Sequence, residues 1–294
     1  MSIRALLTTF LLASLVLACT PGGATPIPTA MPDSFVADPT AAASSPVTPD
    51  PTSSPDPTAA PETTAGLTPT ATATPDDSAT PKPTKRPKPK PYAMNLATKA
   101  DFVRQYTFEW CVGASIQMAL NMVEDADRTG RADQADLWAM ARDRSSSPFG
   151  GANPRGWTAA LNDLGIGPYV LVSLPTLDEA LHTAAEAIRA TKRPVGLVMW
   201  RGRHAWVMSG FESTADPRTF DDFDVTGIRV HDPLYPHGSS TWGRSPKPNS
   251  LISPATLAKQ YVARDQFRVN LGVAPGYLLV LPVRTLADAP IGAG

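Results

Sequence analysis

Residues 105–125 have the sequence QYTFEWCVGASIQMALNMVED, in which Cys111 stands where a loop gives way to an apolar helix. The residues that follow the cysteine repeat at helical spacing, and the apolar positions include Ile116, Met118, Ala119, Met122 and Val123. We therefore predict a helix from Cys111 to about Asp125. A sulfur at the first turn of a helix lies at the positive end of the helix dipole, where a thiolate is stabilised.

The elements that follow indicate an α+β fold. Further helices are predicted over Gln134–Arg142 and over Leu177–Thr191, the second with a capping box from Thr176 and Glu179 and an end at Pro194. Runs rich in Val, Ile, Leu and aromatics predict four strands, at Pro194–Trp200, Ala205–Phe211, Gly227–Val230 and Gly276–Val283. A helical first half followed by mostly antiparallel strands is typical of the α+β class.

Two more residues have the chemistry that a cysteine nucleophile needs. His204 opens a predicted strand, and Asp232 ends another and precedes Pro233, so both are expected at a sheet edge. An imidazole beside the thiol takes up its proton, and a carboxylate holds the other ring nitrogen. Gln105, six residues before Cys111, is predicted to act with the Cys111 backbone N–H as donors to an oxyanion.

These residues form motifs that resemble those of the C39-like branch of papain-fold cysteine peptidases. The matching segments are Gln105–Cys111, His204–Val207 and Val230–Pro233, and the resemblance covers nearly all of the region from Tyr92 to Val283. It implies a papain-like fold that cleaves a peptide or protein substrate without a cofactor. In that family the glutamine supplies the oxyanion hole, the histidine is the base and the aspartate orients it, which assigns these roles to Gln105, His204 and Asp232.

One departure from the family leaves other functions open. Val112 follows the cysteine where many members have glycine, so we expect a branched side chain beside the sulfur. A catalytically inactive binding module with a cleft closed by Val112 is therefore an alternative. Another is a cell-wall amidase or transglutaminase-like acyl transferase, although the 93 residues (204 − 111) between Cys111 and His204 exceed the usual spacing of those relatives.

The remaining histidines do not predict a metal site. His231, Asp232 and His237 lie close together in the sequence, but no further ligand stands at a spacing typical of metal sites. We therefore predict no metal ligands.

The N-terminus predicts export. Residues 1–19 combine Arg4 with an apolar run, Ala5–Leu17, which is typical of a signal peptide. Val16–Cys19 resembles a bacterial lipobox, so Cys19 is expected to carry a lipid and to anchor the protein at the outer face of the membrane; ordinary secretion is the alternative. With Cys19 lipidated, Cys111 is the one thiol left in an exported protein.

Residues 20–91 predict a disordered linker. Pro, Thr, Ala and Ser dominate this segment, and such a composition buries too little apolar surface to fold. Its basic end, Lys82–Lys90, is interpreted as a solvated segment, with contact to anionic lipid or wall polymer left open. The domain is predicted over 92–294. A net charge of −1 gives no general attraction for nucleic acid.

Overall fold

The computed structural model describes residues 87–146, 150–290 and 292–294. The predicted signal peptide with Cys19 and most of the predicted linker lie outside the described residues. The first strand of the described chain, β1 (Tyr92–Asn95), begins at the first residue of the predicted domain. None of the described helices is both long enough and apolar enough to cross a membrane.

Five helices lie in the described part of the chain: α1 (Cys111–Glu124), α2 (Arg131–Asp143), α3 (Pro154–Asp163), α4 (Leu177–Thr191) and α5 (Pro254–Leu257). The predictions of α1 and α4 are confirmed, and α2 begins three residues earlier than Gln134. The capping box of α4 is present, because the Thr176 hydroxyl accepts the Glu179 N–H at 3.2 Å and the Glu179 carboxylate accepts the Thr176 N–H at 3.1 Å.

The other strands are β2 (Tyr169–Leu174), β3 (Val195–Met199), β4 (His204–Ser213), β5 (Val225–His231), β6 (Gly238–Ser239), β7 (Gly243–Arg244), β8 (Ser250–Ile252) and β9 (Tyr277–Pro282). Seven of the nine described strands form one sheet, with β2-β9-β3-β4-β5-β8 in that order and β1 also paired to β4. The pairs in this sheet are antiparallel, and β6 and β7 form a separate hairpin. The chain is therefore of the α+β class, as predicted.

The helices pack on both faces of the sheet. Alternate residues of a strand point to opposite faces, so Leu197 of β3 lies in a core with α4 while Val198 lies in a core with α1, α2 and α3. The sequence predicted a helical half followed by a sheet, but β1 and β2 lie before and among the helices. The packing of α1 against β4 is the contact that positions the site.

Candidate active site

Cys111 is the first residue of α1, as the sequence predicted. Its thiol is free and partly exposed. The backbone N–H of a first helical residue has no acceptor within the helix, and this end of the dipole is positive. The first turn of the described helix contains no acidic side chain, and the preceding residue, Trp110, makes no side-chain capping bond. The surroundings of the sulfur thus contain oriented donors and no opposing charge from the first helical turn.

His204 and Asp232 meet at one edge of the sheet. Strands β4 and β5 are antiparallel neighbours in which Val207 pairs with His231, so the start of one lies beside the end of the other. His204 opens β4 and Asp232 follows β5. His204 Nε2 donates to Asp232 Oδ1 at 2.7 Å, and both side chains are buried. The Leu234 N–H donates to the same oxygen at 2.8 Å and fixes the carboxylate.

The imidazole joins this carboxylate to the thiol. The Cys111 thiol lies close enough to the His204 ring to raise the pKa of that ring, and because Nε2 is engaged by Asp232, Nδ1 is the nitrogen left to interact with the sulfur. Burial alone lowers the pKa of His204, but Asp232 and then Cys111 raise it by more, to about 9. The ring therefore carries a positive charge at neutral pH, held between the carboxylate and the sulfur.

Gln105 lies in the same region, but its side chain has other partners. Its backbone N–H donates to the Pro233 carbonyl at 2.8 Å, which places the residue beside the loop that carries Asp232. Its Nε2 donates to the carbonyls of Thr107 at 2.9 Å and Phe108 at 3.2 Å. Both amide protons are therefore in use in this structure. The oxyanion role of Gln105 stays a prediction, and it requires these bonds to open.

A second glutamine, which the sequence did not single out, holds the Gln105 segment. Gln134 of α2 accepts the Tyr106 N–H at 2.8 Å and donates to the Arg104 carbonyl at 3.1 Å. It also donates to Gln117 of α1 at 2.9 Å, and both glutamines are fully buried. This clamp fixes the backbone on either side of Gln105. The sequence contained one sign of this contact, namely Gln117, a polar residue within the apolar run of α1 that needs a buried polar partner.

Val112 lies in the core. The expectation of a branched side chain standing in the cleft beside the sulfur is wrong, because Val112 is 4% exposed and belongs to the core that α1, α2 and α3 form with the sheet. The residue after a helix-starting cysteine is rotated about 100° from it, which is enough to turn its side chain inward.

His231 is fully buried. Its Nε2 lies 3.1 Å from the Ser209 hydroxyl in a hydrogen bond, and its ring stacks on Phe102 with centroids 6.2 Å apart. Burial lowers its pKa to about 4. Within the described residues, no three or more His, Cys, Asp or Glu side chains are grouped as metal ligands would be.

The grouping of Cys111, His204 and Asp232 allows the imidazole to hold the proton that the sulfur gives up, while the carboxylate balances the charge of the ring. Two surface cavities are not lined by any of these three residues: Arg189 and Arg218 line one, and Arg144 and Arg155 line the other.

Comparisons of the chain with protein-family models, with curated proteins and with solved structures found no match.

Proposed function

We propose that this chain is a thiol hydrolase that cleaves peptide or amide bonds, with Cys111 as nucleophile, His204 as general base and acid, and Asp232 as the group that orients the histidine. The observation that carries the proposal is the buried His204 ring, which binds Asp232 through Nε2 at 2.7 Å and lies close enough to the Cys111 thiol for the two groups to interact. The free thiol also stands at the first position of a helix, where a thiolate, the form that attacks, is stabilised.

The reaction follows from these three groups. The Cys111 sulfur, whose proton is held by His204, attacks the carbonyl carbon, and the developing oxyanion is stabilised by the Cys111 backbone N–H at the helix start. The His204 imidazolium gives its proton to the leaving amine, which breaks the C–N bond and leaves an acyl group on sulfur. Neutral His204 then takes a proton from water while the water oxygen attacks the thioester carbon. The C–S bond breaks, the carboxylic acid product leaves, and the proton on His204 is again shared with the Cys111 sulfur.

The proposal extends to fold family and location. A helix that begins with the nucleophile and packs on an antiparallel sheet that carries the histidine and aspartate supports a papain-like, C39-like fold. The sequence order of Gln105, Cys111, His204 and Asp232 supports the same family. With a lipid at Cys19 and a Pro-rich spacer at 20–91, the domain would act on peptides or proteins outside the cytoplasm.

A specific observation favours one alternative, a catalytically inactive binding module of the same fold. The two amide protons of Gln105 are bonded to the carbonyls of Thr107 and Phe108, so the side chain does not offer a free donor to an oxyanion. A site with only the Cys111 N–H as donor would stabilise a tetrahedral intermediate less, since each lost donor reduces kcat by about 100-fold or more.

The test combines hydrolysis with thiol reactivity in the full chain. We expect Cys111→Ala to abolish cleavage of a responsive peptide library, and Cys19→Ala, the same change at the other cysteine, to leave cleavage unchanged. Alkylation of Cys111 by iodoacetamide, quantified by mass spectrometry of its peptide, should be fast at neutral pH and slow in His204→Ala. Cleavage that survives Cys111→Ala would overturn the proposal, and peptide binding without any cleavage would establish the binding module.

A further inference from the structure

The turn between β3 and β4 has an unusual backbone immediately before His204. Trp200 and Arg201 both have left-handed φ angles, of 54° and 57°, and Gly202 follows with 96°. The Met199 carbonyl closes the turn by accepting the N–H groups of Gly202 at 2.9 Å and Arg203 at 3.0 Å. Residues with a side chain rarely adopt such angles, and they persist only where the surroundings impose them. Trp200 is therefore held in place by contacts outside the turn.

Gln260 provides these contacts. The Trp200 backbone N–H donates to the Gln260 carbonyl at 3.0 Å, and the indole Nε1 donates to the Gln260 side-chain oxygen at 3.0 Å. The Gln260 amide is itself fixed, because its Nε2 donates to the Arg244 carbonyl at 3.1 Å. Trp200 is 3% exposed and Gln260 is 9% exposed. Rotating the indole would leave buried polar groups without partners, which is costly.

The fixed indole lies against the His204 ring. The two ring centroids are 4.1 Å apart and the planes are inclined by 23°, which is a stacked arrangement. The directions of both ring nitrogens lie in the plane of the imidazole, so whatever fixes that plane also fixes how one nitrogen meets Asp232 and the other meets Cys111. An aromatic face also attracts a cation, and this favours the imidazolium in the buried site.

We propose that Trp200, held by Gln260, is a positioning residue that keeps the His204 ring in the plane in which it contacts both Cys111 and Asp232. The inference rests on the proposed function, since it assigns Trp200 to the same site. It names two residues, Trp200 and Gln260, that lie outside the motifs by which the sequence resembles a peptidase.

The readout is the rate of Cys111 alkylation as a function of pH, measured in the full chain by mass spectrometry of the Cys111 peptide. We expect Trp200→Leu to slow alkylation at neutral pH by about fivefold or more and to shift the profile toward that of His204→Ala, because the ring would no longer be held beside the sulfur. Trp200→Phe keeps an aromatic face on His204 and should stay close to the wild type. Gln260→Met removes the acceptor of the indole N–H at similar side-chain length and should slow alkylation by a smaller factor.

Trp157→Leu is the matched control, because Trp157 is a buried tryptophan of α3 that packs against Gly196 of β3 instead of His204. It should lower stability, measured as the midpoint of thermal unfolding, without changing the pH profile. The positioning role is refuted if folded Trp200→Leu retains the wild-type profile. If Trp200→Leu does not fold, the role is refuted when Gln260→Met retains the wild-type profile. A wild-type profile that His204→Ala leaves unchanged would instead refute the proposed hydrolase, so the two failures are distinguishable.

Discussion

The charge of His204 is decided by opposing effects on a single residue. Burial favours the neutral ring, whereas Asp232 and Cys111 favour the charged ring and prevail, so the pKa rises to about 9. Removing the carboxylate would leave burial as the larger influence and would lower this pKa. The carboxylate at 2.7 Å thus sets the protonation state of the histidine as well as its orientation.

Val112 tests whether the residue next to the nucleophile shields it. We expect Val112→Ala to lower the free energy of unfolding by about 2 kcal/mol, because two buried methyl groups are lost from the core around α1. The alkylation rate of Cys111 should change by less than about twofold, because the valine side chain is directed into the core. Urea unfolding and alkylation kinetics measure the two effects.

The control for this substitution is Val123→Ala, the same change on the same helix at a partly buried position near its other end. It should cost less stability than Val112→Ala and should leave alkylation unchanged. A Val112→Ala variant that is alkylated several times faster than the wild type would show that the side chain does shield the sulfur.

At the scale of elements, helix α2 holds the segment around Gln105, which lies before α1 in the chain. One side chain, Gln134, bonds the backbone at Arg104 and Tyr106 in the way a neighbouring strand would, so the segment before the nucleophile is held without being part of a sheet. The same segment is bonded on its other side to Pro233, next to Asp232. The position of Gln105 therefore depends on both α2 and the loop after β5.

We expect Gln134→Leu to lower the free energy of unfolding by about 3 kcal/mol, because it leaves the Tyr106 N–H and the Arg104 carbonyl without their buried partner. Hydrogen exchange of the Tyr106 amide should accelerate by more than the global loss of stability explains. Gln134→Glu keeps an oxygen to accept the Tyr106 N–H and should preserve more of its protection. Unchanged Tyr106 exchange in Gln134→Leu would exclude the clamp.

How far the elements were predictable depends on whether their signals are local. Helix α4 was predicted to the residue because its capping box lies within four residues, between Thr176 and Glu179. Helix α3 was missed even though Asn153 caps it and Pro154 opens it, since Gly156 interrupts its pattern. Strand β2 was also not predicted, because it is a short buried apolar run and periodicity alone does not distinguish such a run from a helix.

The same distinction applies to the site. Cys111, His204 and Asp232 were named because each stands at the end of an element, which is visible in the sequence. Gln134 acts on backbone atoms 28 and 30 residues away, and Gln260 bonds a tryptophan 60 residues away, so neither role leaves a local pattern. These contacts arise only from the packing of α2 on α1 and from the return of the chain after α5.

At the scale of the whole molecule, two buried histidines respond oppositely to pH. The pKa of His204 is raised to about 9, so in the folded chain it binds a proton more tightly than in the unfolded chain. The pKa of His231 is lowered to about 4, so the folded chain binds that proton less tightly. By linkage, His204 adds stability that is fully present below about pH 6.5 and is lost as the pH rises toward about 9. His231 has the reverse effect, since stability is lost as the pH falls from about 6.5 toward about 4.

We therefore expect the free energy of unfolding, measured with urea, to be highest near about pH 6.5 and to decline on both sides, by on the order of 3 kcal/mol from each histidine over its window. His231→Gln should flatten the acid side alone, and His204→Gln should flatten the alkaline side alone, because each variant removes one of the two groups. His182→Gln, at a partly exposed histidine of α4, is the control and should leave both sides unchanged. An acid decline that persists in full in folded His231→Gln would contradict this assignment and would move the cause to other groups of the domain.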